Sequence, residues 1–179
     1  EYQWDTALEF CSMIMLAHEY SGMDITKYEP IIRQTLTFFD EHYQYIARKL
    51  GVKPLTGDGK LMLYPSSGCE TYKMAYNPSS VVAALQTVAR QWTEYNGDSL
   101  NGIMKRIPEI PLRTISGDTC IAPAIVWARI QNIETPQLYP VFPWRIYGMG
   151  RDNLNIGRNT YMKDPHAVEM RATKGWKQD

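Results

Sequence analysis

Apolar positions in the first half of the chain recur every three or four residues. From Trp4 to Tyr20, Leu8, Cys11, Met15 and His18 share one face with Ile14 adjacent, which predicts a helix ended by Gly22. Asp24 opens a short linker, and Pro30 stands near the start of a second helix, where proline is tolerated. That helix runs to about Leu50 on a stripe of Ile31, Thr35, Phe38, Phe39, His42 and Ile46, with Gly51 as its stop. Gly57-Asp58-Gly59 reads as a turn, and Leu61 to Tyr64 as a short extended strand. Asn77-Pro78 reads as a helix start, with asparagine as the cap and proline at the first helical position. Val81, Leu85, Val88, Ala89 and Trp92 carry this third helix to about Tyr95, and Met13, Met15 and Met23 read as core filling.

The second half changes period. Ser99 to Ile107 reads as a fourth, shorter helix. Between Ile110 and Ala124, Leu112, Ile115, Cys120 and Ile121 flank Ser116-Gly117-Asp118, which predicts a β-hairpin. Ile125 to Tyr139 carries no clear period. The stretch "QLYPVFPWRIYGMG" has prolines at 140 and 143 and cannot be a regular helix. Leu154 to Met162 reads as a helix, and Ala167 to Thr173 as the start of another. Long helices in antiparallel succession, with chemistry in the connecting loops, describe an α/α architecture with small β additions.

Composition narrows the partners. The 179 residues are enough for one ordinary domain, and 44% hydrophobic against 21% charged residues supports a packed core. Basic and acidic residues balance at 19 each, which argues against a nucleic acid or a membrane surface as partner. No apolar run approaches the length of about 20 residues that spans a bilayer. Cys11, Cys69 and Cys120 form no CxxC pair, so neither a zinc site nor a disulfide framework is supported, though one disulfide can still form. His18, His42 and His166 lack metal-ligand spacing, and no metal or organic cofactor is implied. Twelve tyrosines and 5 tryptophans against 4 phenylalanines suit surfaces that are half apolar and half wet, either a sugar-binding cleft or a core rim. The chain begins at Glu1 with helix-like sequence at once, shows no signal peptide, and reads as a piece of something longer.

The chemistry-bearing residues stand in loops. Glu70 follows "YPSSGC", Asn77 precedes a helix, Glu134 sits in "NIETPQLYP", and Asp179 ends "GWKQD". Two carboxylates held by loops are what glycosidic bond cleavage requires, one to protonate the leaving oxygen and one to manage the nucleophile. Each has a plainer reading. Glu70 could be a loop charge or cap the backbone amides that follow it. Glu134 could pair with Arg129 or Arg145, and Asp179 could stabilise a helix N-terminus. As a general acid Glu70 needs burial or a nearby negative charge to keep its proton, and Tyr64, Tyr72 and Tyr76 are candidates for an apolar wall.

The order of these motifs carries a resemblance. "SGMDITKYEPIIRQTLTFFDEHY", "LYPSSGCE", "NPSSVVAALQTVARQW", "QLYPVFPW" and "GWKQD" together resemble the catalytic domain of family-95 glycoside hydrolases, the α-L-fucosidase group, in a divergent bacterial branch. The family's general acid lies in a Pro-Ser-x-Ser-Pro-Glu-Asn loop. Here Pro65, Ser66 and Glu70 match, while Gly68, Cys69 and Thr71 replace the second serine, the second proline and the asparagine. The family's His-Arg-His-x-Ser-His-Leu-Tyr-Gly-Leu-Tyr-Pro stretch aligns with "NIETPQLYPVFP". Leu138, Tyr139 and Pro143 are kept, and Asn132, Glu134 and Gln137 stand where histidines would be. The family's base asparagines have no counterpart in this chain.

The resemblance implies a mainly α fold, part of an (α/α)6 toroid with a small β-hairpin insertion, over residues 1–179 as a fragment of a longer chain. It implies a glycosidase of α-L-fucosidase or galactosidase type, inverting, with Glu70 as general acid and Asp179 and Glu134 as the other catalytic candidates. Substrate-binding candidates are Tyr72, Asn77, Asn132, Gln137, Trp176 and the pair Trp144 and Arg145, the last two as a stacking platform with a hydroxyl donor or, more plainly, as wall packing. It further implies a carbohydrate substrate, contact with the remainder of the same polypeptide, and a periplasmic or extracellular address in a bacterium. The loss of the histidines leaves open a reading of another class, a catalytically silent module that binds glycan or a protein.

Overall fold

The structure, a computed structural model, describes residues 5–97, 100 and 102–171. Those residues form six α-helices, two single 3-10 turns (Thr26–Tyr28 and Pro136–Leu138) and five short strands. The helices are α1 (Asp5–Ser21), α2 (Glu29–Lys49), α3 (Ser79–Asn96), α4 (Ile103–Arg106), α5 (Leu154–Lys163) and α6 (Pro165–Met170). The strands are β1 (Ser66–Gly68), β2 (Tyr72–Ala75), β3 (Leu112–Ile115), β4 (Asp118–Ile121) and β5 (Arg129–Ile130). This overturns the expected toroid. Only α1, α2 and α3 are long, and the strands form two small antiparallel sheets, so the described residues make a mixed α/β fold. The physical reason lies in the second half, where short two-residue periods, prolines and glycines stop helices from propagating.

The chain divides into two compact units. Among the described residues, a helical unit comprises 5–62 and 84–108, and a strand-bearing unit comprises 63–83 and 109–171.

In the helical unit, α1 buries Leu8, Cys11 and Met15 at the predicted spacing. Met13 and Met23 face solvent, so the methionines are not one core cluster. The buried stripe of α2 is Ile32, Leu36, Phe39, Tyr43 and Ala47, rotated by about one residue from the expected face, with Ile31 left 54% exposed. Phe38 lies on the flank, its ring stacked on His42 at 4.9 Å. Gly22 and Gly51 end α1 and α2 in left-handed conformations, φ +69° and +73°, and return their amides to His18 and Arg48. The fourth helix shrinks to one turn, although Ser99 lies outside the described residues. That turn is held by a two-pronged ion pair. Arg106 Nε donates to Asp40 Oδ1 and Arg106 Nη2 to Oδ2, both at 2.8 Å.

In the strand-bearing unit one sheet has the order β1-β2-β5 and the other is the β3–β4 hairpin, all antiparallel. The hairpin is the predicted one, and its turn residues Ser116 and Gly117 both have positive φ, as a tight two-residue turn demands. The expected strand at Leu61 to Tyr64 is displaced: Leu61 makes only an isolated bridge to Leu55, and regular pairing starts at Ser66. Asn77 explains part of the shift. Its Oδ1 accepts from the Leu63 amide at 2.8 Å, and its own amide donates to the Leu63 carbonyl at 3.2 Å. Asn77 therefore clips an extended segment instead of capping α3, whose first helical bond runs from Val82 to the Pro78 carbonyl at 3.0 Å. On β4, the Ile121 amide donates to Thr160 Oγ1 of α5 at 2.7 Å.

The Asn77 clip is buried and dominated by the side-chain oxygen. Asn77→Ala should lower stability by about 1–3 kcal/mol, the range for stranding a buried backbone donor. Asn77→Asp keeps the acceptor but buries a charge, so it too should lose stability at neutral pH. Urea unfolding midpoints of the two variants against wild type check this.

Candidate functional site

The site grows from the turn between β1 and β2. Gly68, Cys69, Glu70 and Thr71 make that turn, closed by the Thr71 amide on the Gly68 carbonyl at 3.2 Å. Cys69 sits in the left-handed region with φ +50°, where a side chain other than glycine or asparagine is uncommon. Beyond the turn, the Gln131 amide donates to the Thr71 carbonyl at 3.0 Å, extending the β2–β5 pairing. That bond delivers residues 132–134 to the turn.

Two carboxylates meet there. Glu70 is solvent-exposed, and Asn132 Nδ2 donates to its Oε2 at 3.1 Å. Asn132 is itself fixed, because its Oδ1 accepts from the Ile133 amide at 2.8 Å. Glu134 is half-buried, and its Oε2 accepts from the Cys69 thiol. The Glu134 backbone carbonyl accepts from His166 Nε2 at 3.0 Å, so that nitrogen carries the proton. Tyr139 donates its hydroxyl to Cys69 Sγ at 3.8 Å. Burial, and then the neighbouring Glu134, push the Cys69 thiol up to about 12 from an ordinary 9.0. Among the described residues no lysine or arginine pairs with Glu70 or Glu134. Arg129, one expected partner of Glu134, binds Gln131 Oε1 at 3.3 and 3.2 Å.

Behind the turn lies a buried polar support. Asp164 is fully buried, accepts from Arg113 and from Gln137 Nε2 at 2.7 Å, and caps α6 through the Ala167 amide at 3.0 Å. Tyr72 is buried against the ring edges of His166 (5.6 Å) and Trp127 (5.3 Å). Burial, with the Asp164 charge second, raises its hydroxyl pKa.

The sequence-derived candidates therefore separate into groups. Glu70, Asn132 and Glu134 come together at one turn. Tyr72, Asn77, Gln137 and Trp144 are buried, with Trp144 only 3% exposed, so they offer no face to a sugar and serve the core. Tyr72 in particular is no open wall for Glu70. Arg145 is exposed, with φ +53°. Asp179 and Trp176 lie outside the described residues.

Sequence reasoning missed Cys69, Tyr139 and His166 as parts of the site. Cys69 counted only as a departure from the family loop, and His166 as a scattered histidine. A cysteine following glycine in a turn was the available signal.

The described residues contain no group of three or more histidine, cysteine, aspartate or glutamate side chains arranged for a metal ion. None of their helices is long and apolar enough to cross a membrane. No family model, curated protein or solved structure matches the chain.

The protonated thiol has two consequences. Near pH 9, Cys69 should react with an aromatic disulfide about 15–30-fold more slowly than an unperturbed cysteine. The deficit in thiolate outweighs the gain in nucleophilicity that accompanies a higher pKa. Mass spectrometry of the Cys69 peptide reads this directly. Because the folded pKa lies above the unfolded one, the thiol's contribution to stability is full below pH 9.0 and is lost as pH rises toward about 12.

Proposed function

We propose that the protein hydrolyses glycosidic bonds, with Glu70 as the general acid. In this reading the Glu70 carboxyl protonates the leaving oxygen as the bond to the anomeric carbon breaks. Water adds to that carbon from the opposite face and passes its proton to a second carboxylate. Glu134 is the candidate of this chain nearest to that role, and Asn132 orients Glu70.

One observation carries the reading. Two carboxylates from segments more than sixty residues apart in the chain reach the same turn, each held by an uncharged donor. A salt bridge would have neutralised them as structural charges. An amide and a thiol instead leave them available for proton transfer. The order of loop motifs that resembles family-95 glycoside hydrolases points the same way, as do the balanced net charge and the abundance of tyrosine and tryptophan. The substrate would be a neutral glycan or oligosaccharide, and a periplasmic or extracellular address belongs to the same proposal.

A second reading, a binding module without turnover, rests on a different observation: Asn132, Glu134 and Gln137 stand where the resembling family motif has histidines.

The deciding experiment assays the intact protein on α-fucosides, α- and β-galactosides and plant polysaccharide fragments, beside Glu70→Gln. Loss of general-acid catalysis should lower kcat by about 100-fold or more on a substrate with a poor leaving group. Turnover that survives the substitution removes Glu70 from the acid role and makes Glu134→Gln the next variant. Sugar binding without turnover on any substrate selects the second reading.

A further inference from the structure

We infer that Cys69 is a positioning residue, whose thiol, itself held by the Tyr139 hydroxyl, fixes the Glu134 carboxylate at the Glu70 turn. The effect on turnover rests on the proposed role of Glu134. The thiol–carboxylate coupling does not.

Three observations carry it. Cys69 occupies a left-handed backbone position at φ +50°. That conformation is strained for a residue with a Cβ and free of that strain for glycine. Gly68 stands immediately before it with an ordinary φ, so the strained position carries the functional side chain and its neighbour does not. Next, the donor chain has one direction. Tyr139, buried at 5% exposure, donates to Sγ at 3.8 Å, and the S–H donates to Glu134 Oε2. Finally, Glu134 is held at both ends, because His166 Nε2 binds its backbone carbonyl at 3.0 Å while Cys69 binds its carboxylate. A thiol kept protonated by burial and by Glu134 can only act as the donor of this pair.

The test uses the intact protein in wild-type, Glu134→Gln, Cys69→Ser and Cys69→Ala forms. The first readout is the rate at which an aromatic disulfide modifies Cys69 near pH 9. Removing the Glu134 charge should raise that rate about three- to tenfold, with Cys11 and Cys120 unchanged as internal controls of folding. An unchanged rate overturns the inference. The infrared S–H stretch of wild type, isolated by subtracting the Cys69→Ser spectrum, needs no folded Gln variant. A band shifted toward the strongly bonded position supports the coupling, and a band at the free-thiol position overturns it.

The second readout is turnover. Cys69→Ala should lower kcat about 10–100-fold, the scale of a small misplacement of a reacting group, with KM little changed. Cys69→Ser, which keeps a donor, should recover part of the loss. Full turnover in Cys69→Ala overturns the positioning role. Coupling seen without any wild-type turnover overturns the hydrolase reading and leaves the thiol–Glu134 assignment standing.

Discussion

The strand-bearing unit is organised by one buried carboxylate. Asp164 has no solvent access, and a charge removed from water must be met by donors or it costs several kcal/mol. It finds them on three separate pieces of chain: the Arg113 guanidinium on β3, the Gln137 amide in the Pro136–Leu138 turn, and the Ala167 amide at the start of α6. Meeting that requirement locks β3, the proline-rich turn and α6 together. It also sets His166, two residues along, where it can bind the Glu134 carbonyl. The position of Glu134 at the β1–β2 turn is thus a downstream result of satisfying a charge elsewhere.

The parts of this fold legible in the sequence were those with local causes. Helices α1, α2 and α3 follow from apolar spacing over seventeen to twenty-one residues, and the β3–β4 hairpin follows from alternation around Ser116-Gly117. Where a side chain had a distant rival partner, local reading failed. Asn77 looked like a helix cap because asparagine before proline usually is one, yet the Leu63 backbone, fourteen residues away, claimed its amide. The face of α2 was placed one residue off because Phe38 and Phe39 are both apolar, and only packing decides which turns inward. The toroid was inferred from motif order, and motif order says nothing about whether the chain between motifs can propagate helix.

The site was legible by halves. Glu70 and Glu134 were chosen as loop carboxylates and Asn132 for its place in the resembling motif, and they meet. That the bonds at this turn run from Cys69 to Glu134 and from Asn132 to Glu70 could not be read, because neither pair has a spacing that means anything within one element. Tyr72 and Trp144 were chosen for their type, since amphipathic side chains suit a sugar cleft, and Gln137 for its place in the resembling motif. The same amphipathic character suits a core that contains a buried charge network, and here that use prevailed, with Gln137 on Asp164 and Tyr72 packed against His166.

The two carboxylates are anchored by an amide and a thiol, which are neutral. Dissolved ions weaken attraction between opposite charges over a Debye length of about 8 Å at physiological ionic strength, and exposed pairs suffer most. The Lys163–Asp118 and Arg90–Glu94 pairs, both solvent-accessible, are of that kind. A hydrogen bond from a neutral donor at close range has little long-range attraction for ions to screen. The turn that carries Glu70 and receives Glu134 therefore keeps its arrangement in brine that loosens exposed ion pairs.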